Sequence, residues 1–138
     1  MANCPVRHSS DCNIQERRGR YLLVYDGSTK LYWQRSSSEE LLTYDEALAY
    51  VDNLNRVKFA GYTDWRLPTL EEAMSLMERE QKNGKLYINP VFDRRPTVIW
   101  TASKQAVDVV WYVDFNVGRC AFNVLGGGDP VRAVRFRQ

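Results

Sequence analysis

The residues best suited to binding chemistry in this chain are its arginines, which make up fourteen of its nineteen basic residues. A planar guanidinium can grip a sulfate or a carboxylate through two parallel hydrogen bonds. Arg94, Arg95 and Arg119 fall in a loop-rich half of the sequence. Gathered together they would form an anion site in a chain whose net charge is only +2. Asn116 and Asn123 lie in the same half, and Tyr112 offers a ring for stacking on a sugar, as do Tyr32 and Tyr87. Arg132, Arg135 and Arg137 sit near the C-terminus at mixed parity, so a strand there points Arg135 and Arg137 one way and Arg132 the other. The remaining arginines have seventeen acids to pair with.

Other chemistries find less support. The single histidine, His8, lies in an irregular lead-in. Cys120 has Arg119 beside it but no second histidine to serve as a base, so a non-catalytic protein without cofactor is expected. Asp114, Asn116 and Asn123 carry the oxygens that calcium prefers, yet they suit turns and outward strand positions equally well. No metal is expected. Cysteines 4, 12 and 120 permit one disulfide and leave the pairing open, and no zinc-like spacing occurs. Gly126–Gly128 lacks the Gly-Lys-Ser/Thr of a phosphate loop. A charge of +2 is too weak to argue for nucleic acid. The longest apolar run, Val109 to Val113, is far too short to span a membrane. The start, MANCPVRHSSDC, has no apolar signal core, which fits a cytoplasmic protein or one whose signal has been removed.

These residues need a scaffold, and 138 residues with 44% hydrophobic content suffice for one domain. Residues 1–20 are expected to form an irregular arm, with the domain over 21–138. Tyr21–Tyr25 and Leu31–Gln34 flank Asp26-Gly27-Ser28 as a hairpin. Thr43-Tyr-Asp-Glu46 is a capping box: the threonine oxygen accepts from the third helical amide, and the glutamate reaches back. Ala47, Leu48, Val51 and Leu54 follow at helical spacing, predicting a helix over about 44–56. Thr69-Leu-Glu-Glu72 repeats the box. Its apolar stripe runs Leu70, Ala73, Met74, Met77, with Gly84 as the stop. Strands are then predicted over 97–102, 109–115, 119–125 and 131–137. Strands, two helices and more strands make an α+β arrangement with an antiparallel sheet.

Several motifs are more specific than periodicity. They are Trp33-Gln34, Thr43-Tyr-Asp-Glu-Ala-Leu48, Gly61-Tyr-Thr-Asp-Trp-Arg-Leu-Pro-Thr69, Ile88-Asn-Pro-Val-Phe92, Trp100-Thr101, Trp111-Tyr-Val-Asp-Phe115 and Val131-Arg-Ala-Val-Arg135. In this order they resemble the Legionella collagen-like adhesin C-terminal domain family over about residues 21–136. The resemblance implies a C-type-lectin-like fold: two helices flanking a twisted antiparallel sheet, paired chain ends and a long loop region on one side. It also implies a bacterial, extracellular or periplasmic binding module for a glycan or polyanion, glycosaminoglycans being associated with the family. A protein partner or a homo-oligomer is the competing expectation. Two departures stand out. Ser28-Thr-Lys-Leu-Tyr-Trp33 replaces the family's Thr-Gly-Leu before Met-Trp-Gln, and Ala133 replaces a cysteine common in the last strand. Trp65, Arg66, Pro68 and Trp111 are expected to be structural. The guanidinium of Arg66 would satisfy carbonyls or a carboxylate where helix meets sheet.

Overall fold

The computed structural model describes Cys4, the backbone of residues 14–17, and residues 22–137. Strand β1 (Ile14–Arg17) is followed by β2 (Leu23–Asp26) and β3 (Leu31–Gln34). Helices α1 (Tyr44–Arg56) and α2 (Leu70–Met74) come next, separated by a short 3-10 turn. Strands β4 (Val98–Ala106), β5 (Val109–Asp114), β6 (Arg119–Val124) and β7 (Val134–Phe136) complete the chain. The architecture is α+β, but the strands form two antiparallel sheets rather than the single sheet expected. One has the order β1-β2-β3-β7 and the other β4-β5-β6. The end strands β1 and β7 join one sheet at its opposite edges, so they do not pair with each other.

The irregular lead-in expected over 1–20 is corrected at residues 14–17, which pair with β2 from Ile14↔Asp26 to Arg17↔Leu23. Edge pairing is made by backbone groups and so asks little of side-chain pattern. The described part of the predicted arm also supplies Cys4, which forms a disulfide with Cys120. Cys12 lies outside the described residues.

Helix α1 occupies the span predicted, and both bonds of its capping box are present: Glu46 N–H donates to Thr43 Oγ1 and Thr43 N–H to Glu46 Oε1. Its buried stripe is Tyr44, Ala47, Val51 and Leu54. Leu48, expected on that stripe, is 44% exposed. The second capping box also forms, but α2 stops at Met74, well short of the predicted run to Gly84. The Ser75 hydroxyl donates to the Glu72 carbonyl, and Leu76 and Met77 continue in tighter turns onto Ala73 and Met74. Glu78 N–H then donates to Tyr87 O, which turns the chain into a loop. Leu76 and Met77 are buried without being helical.

Two apolar clusters fill the interior. One packs α2, Leu76, Met77, Ile88 and Phe92 between Val24, Leu31 and Trp33 of the first sheet and Ile99, Trp111 and Val113 of the second. The other packs α1, Trp65 and Leu67 against Leu23, Trp100, Val110, Val131 and Ala133. Leu23 and Val24 point to opposite faces and both are fully buried. This explains why β2 is a continuous apolar run rather than an alternating one. All four tryptophans are buried, as their strand and signature positions suggest. Strand β4 is tied to the connecting segments, with Trp100 N–H donating to Pro130 O and Ala102 N–H to Pro68 O.

Candidate functional site

The Gly61–Thr69 signature is a junction. Trp65 is buried, and its ring N–H donates to Phe59 O while Asn55 clasps its backbone from both sides. Arg66 pairs through its backbone with Val134 of β7. Its guanidinium makes a bidentate bond to Glu72, at 2.7 and 2.8 Å, and reaches Leu67 O. Glu72 is also the capping glutamate, accepting from Thr69 N–H. The structural role expected for Arg66 thus has a specific acceptor. Burial alone would raise the Glu72 carboxyl, but the bonds from Arg66 and Thr69 bring it below its ordinary value of 4.5. That depression stabilises the fold fully above pH 4.5, and the contribution is lost as pH falls through the lower folded value. Glu72→Gln keeps the cap but removes the charge. The variant should lose about 0.5–1 kcal/mol at neutral pH, since the pair is partly exposed. It should also show a shallower stability loss below pH 4.5 in urea titrations followed by circular dichroism.

Two of the three C-terminal arginines do not behave as surface charges, while Arg137 is exposed. Arg132 is fully buried, and Arg135 is nearly so. Arg135 binds Asp64 through Nε and Nη2, and its guanidinium lies 3.8 Å from the centre of the Tyr62 ring. Tyr25, Tyr32 and Arg135 are opposed in register across β2, β3 and β7. Tyr32, expected to offer an exposed stacking face, is instead packed between Tyr25 and Tyr62. Arg132 donates to the carbonyls of Gln34, Arg35 and Asp93 and lies 4.6 Å over the Phe92 ring. Burial pulls its pKa down to about 9, against the opposing pull of Asp93 and Tyr50, so it remains a cation at neutral pH. Gln34 completes the seam: its amide accepts from Ala133 N–H and donates to the Tyr50 hydroxyl on α1.

Asp93, whose carbonyl Arg132 bonds, lines an open cleft of about 960 Å³. Two chain segments supply most of its lining, Ser36–Glu39 with Leu41 and Asp93–Thr97, and Pro130 contributes as well. Arg94 and Arg95 are both exposed here. Arg94 Nε donates to Asn83 Oδ1, and its guanidinium lies over Gly84. Gly84 has φ +64°, and a Cβ there would sit 3.3 Å from the guanidinium carbon, so glycine both makes the turn and admits the flat group. Glu39 and Asp93 bring two carboxylates to the lining. The second of these lies 3.8 Å from Arg35.

Arg119 does not join Arg94 and Arg95 as expected. It stands on β6 opposite Asp114 and is not among the residues lining the cleft. Tyr112, Arg119 and Asn123 share one face of the second sheet, because Tyr112 opposes Ala121 and Val110 opposes Asn123. Burial raises the Tyr112 hydroxyl, the charges of Asp129 and Asp114 raise it further, and Arg119 opposes them. Asn123 donates to the buried Asp129, whose carboxyl is raised chiefly by burial. A Cβ at Gly127 would meet the Asn123 amide at 2.4 Å, which gives one residue of the triple glycine a steric reason. Asp114 Oδ1 accepts from the amides of Asn116 and Val117, a turn-forming role. Tyr87 is half-buried and lies against Gly118.

The order of these features along the chain is that of a known sequence pattern. A sequence model of the Lcl C-terminal domain matches residues 22–135. The chain belongs to the Lcl C-terminal domain family. Membership supports a bacterial, adhesin-associated binding domain. No curated protein matches the chain. Within this Lcl C-terminal domain the motifs shared with the family hold the junction, through Trp65, Arg66 and Pro68, and the core, through Trp111. The cleft is built mainly from segments between them. Ser36–Ser38 fall between the predicted elements, and a serine run carries no sequence signal for a cleft wall.

Proposed function

We propose that this domain is a non-catalytic, C-type-lectin-like binding module that takes an anionic glycan or similar polyanion in the Arg94–Arg95 cleft. The carrying observation is that Arg94 and Arg95, both exposed, line the same 960 Å³ cleft as the exposed Ser36, combining charge with a hydroxyl suited to sugar or sulfate oxygens. The face carrying Tyr112, Arg119 and Asn123, with Asn116 in the adjoining turn, serves as a secondary contact surface for a long ligand. Two helices against antiparallel sheets, with both end strands in one sheet, support the lectin-like reading. Cys120, the nucleophile considered from sequence, is bonded to Cys4, which supports a binding rather than a catalytic role. The disulfide also supports an extracellular or periplasmic location, where such bonds persist.

The test is a glycan array followed by titration of a sulfated tetrasaccharide at 50 and 300 mM salt. Binding should weaken with salt. Arg94→Ala/Arg95→Ala should lower affinity about thirtyfold, the loss of roughly 2 kcal/mol in charge-assisted contacts. Equal binding by the double variant, or no binding of any acidic glycan by the wild type, would sink this reading. A second reading, assembly with another protein or copy, is favoured by β6. This edge strand exposes Phe122 and Val124 at 48% and 57%. Light scattering that shows a stable oligomer alongside a blank array would favour it.

A further inference from the structure

We infer that Arg132 is a positioning residue that holds the two walls of the cleft at their working separation, an inference that rests on the anion-binding reading of that cleft. The geometry is specific. Arg132 Nη1 donates to Gln34 O at 2.9 Å and to Arg35 O, the two residues leading directly into the Ser36–Ser38 wall. Nη2 donates to Asp93 O at 3.4 Å, the first residue of the Arg94–Thr97 wall. One planar fork therefore bridges the two segments that form the walls. The same walls meet through Asp93 N–H donating to Arg35 O and through Arg35 Nε donating to Val91 O. The Ser36–Ser38 wall is also tied to the strand that carries Arg132. Ser38 N–H donates to Val131 O and Val131 N–H to Ser38 Oγ, both at 2.9 Å.

The acceptors are carbonyls, and among the described residues no carboxylate is hydrogen-bonded to this guanidinium. Burying a cation in such a place is costly, and an apolar side chain of similar volume would be the more stable filler. What an apolar side chain cannot do is bond two separate loop segments at once. A lysine cannot reproduce it either, because a point ammonium lacks the planar fork.

The test uses Arg132→Lys and, in case that variant does not fold, Phe92→Leu, which removes the ring beneath the guanidinium. In Arg132→Lys the amides of Ser38 and Asp93 should exchange hydrogen about tenfold faster. The amide of Val113, buried in β5, should stay within twofold of wild type. Affinity for the sulfated tetrasaccharide should fall about tenfold. Phe92→Leu should show the same pattern at about threefold. Equal acceleration at Val113 would reveal a merely global role and overturn the inference, as would loosened walls with undiminished affinity. If the wild type binds no sulfated probe, the ligand reading falls. The exchange data then decide alone, and unchanged Ser38 and Asp93 amides end the case for Arg132.

Discussion

Reduction of the Cys4–Cys120 disulfide, or Cys4→Ser, should lower the thermal midpoint by about 10 °C in circular dichroism melts with and without reductant. The bond joins residues 116 apart in sequence. A cross-link that closes about 100 residues removes unfolded-chain entropy worth about 4.7 kcal/mol in the loop-closure account. The native state gives part of that back, because the bond also fixes Cys4 in the folded protein. About 3 kcal/mol is therefore the expected net, at about 3–4 °C per kcal/mol for a chain of this size. The attachment point is well chosen for transmission. Cys120 is buried on β6, opposite Val113, and Cys4 packs against the same cluster that holds Ile99 and Trp111. A midpoint that moves by less than 2 °C on reduction would show that the cross-link is decoration on an already sufficient core.

What could be read from the sequence is what local chemistry decides. Thr43-x-x-Glu46 and Thr69-x-x-Glu72 carry their own geometry within four residues, so both helix starts were legible. The end of α2 was not. Met77 continues the apolar periodicity, but periodicity reports burial, and a chain that tightens after Met74 can bury Leu76 and Met77 without a helix. The division into two sheets was also hidden, because it depends on which backbone meets Pro68 and Pro130 across long sequence distances. The site shows the same boundary. Arg94 and Arg95 are adjacent, so their common place on a cleft was legible. Arg119 is twenty-four residues beyond Arg95, and no local rule says that one ends on a loop wall and the other on an edge strand. Arg132 was least legible of all. Arginine is a surface residue by default, and only a ring of backbone carbonyls makes a fully buried one tenable.

Asp64→Ala should destabilise the domain by about 2 kcal/mol and Arg135→Ala by about 3 kcal/mol, measured by denaturant titration. Arg135 is buried between the first sheet and the signature loop, and Asp64 supplies its carboxylate at 2.6 and 3.2 Å. Removing one partner of a buried pair usually costs about 3–5 kcal/mol, because the other charge is left without compensation. Here two features reduce that for Asp64→Ala. Its side chain is 43% exposed, so water reaches the gap. The faces of Tyr62 and Tyr32, at 3.8 and 5.5 Å, still attract the cation, worth about 1 kcal/mol. Arg135→Ala is worse because it removes the filling between those rings as well as the charge. It also loosens the loop that delivers Trp65 to the second core. Arg135→Lys should recover little, since an ammonium cannot bond both carboxylate oxygens while lying flat on Tyr62. A double-mutant cycle should return a coupling of about 1–2 kcal/mol between the two residues. Because Asp64 is partly exposed, 1 M salt should lower that energy, but by less than for a pair exposed on both sides. Because Arg135 and Asp64 do not line the cleft, the folded fraction of each variant should bind the sulfated probe as wild type does. A coupling below about 0.5 kcal/mol would mean that the tyrosine rings alone hold the guanidinium, and that the aspartate of the signature serves something other than this clamp.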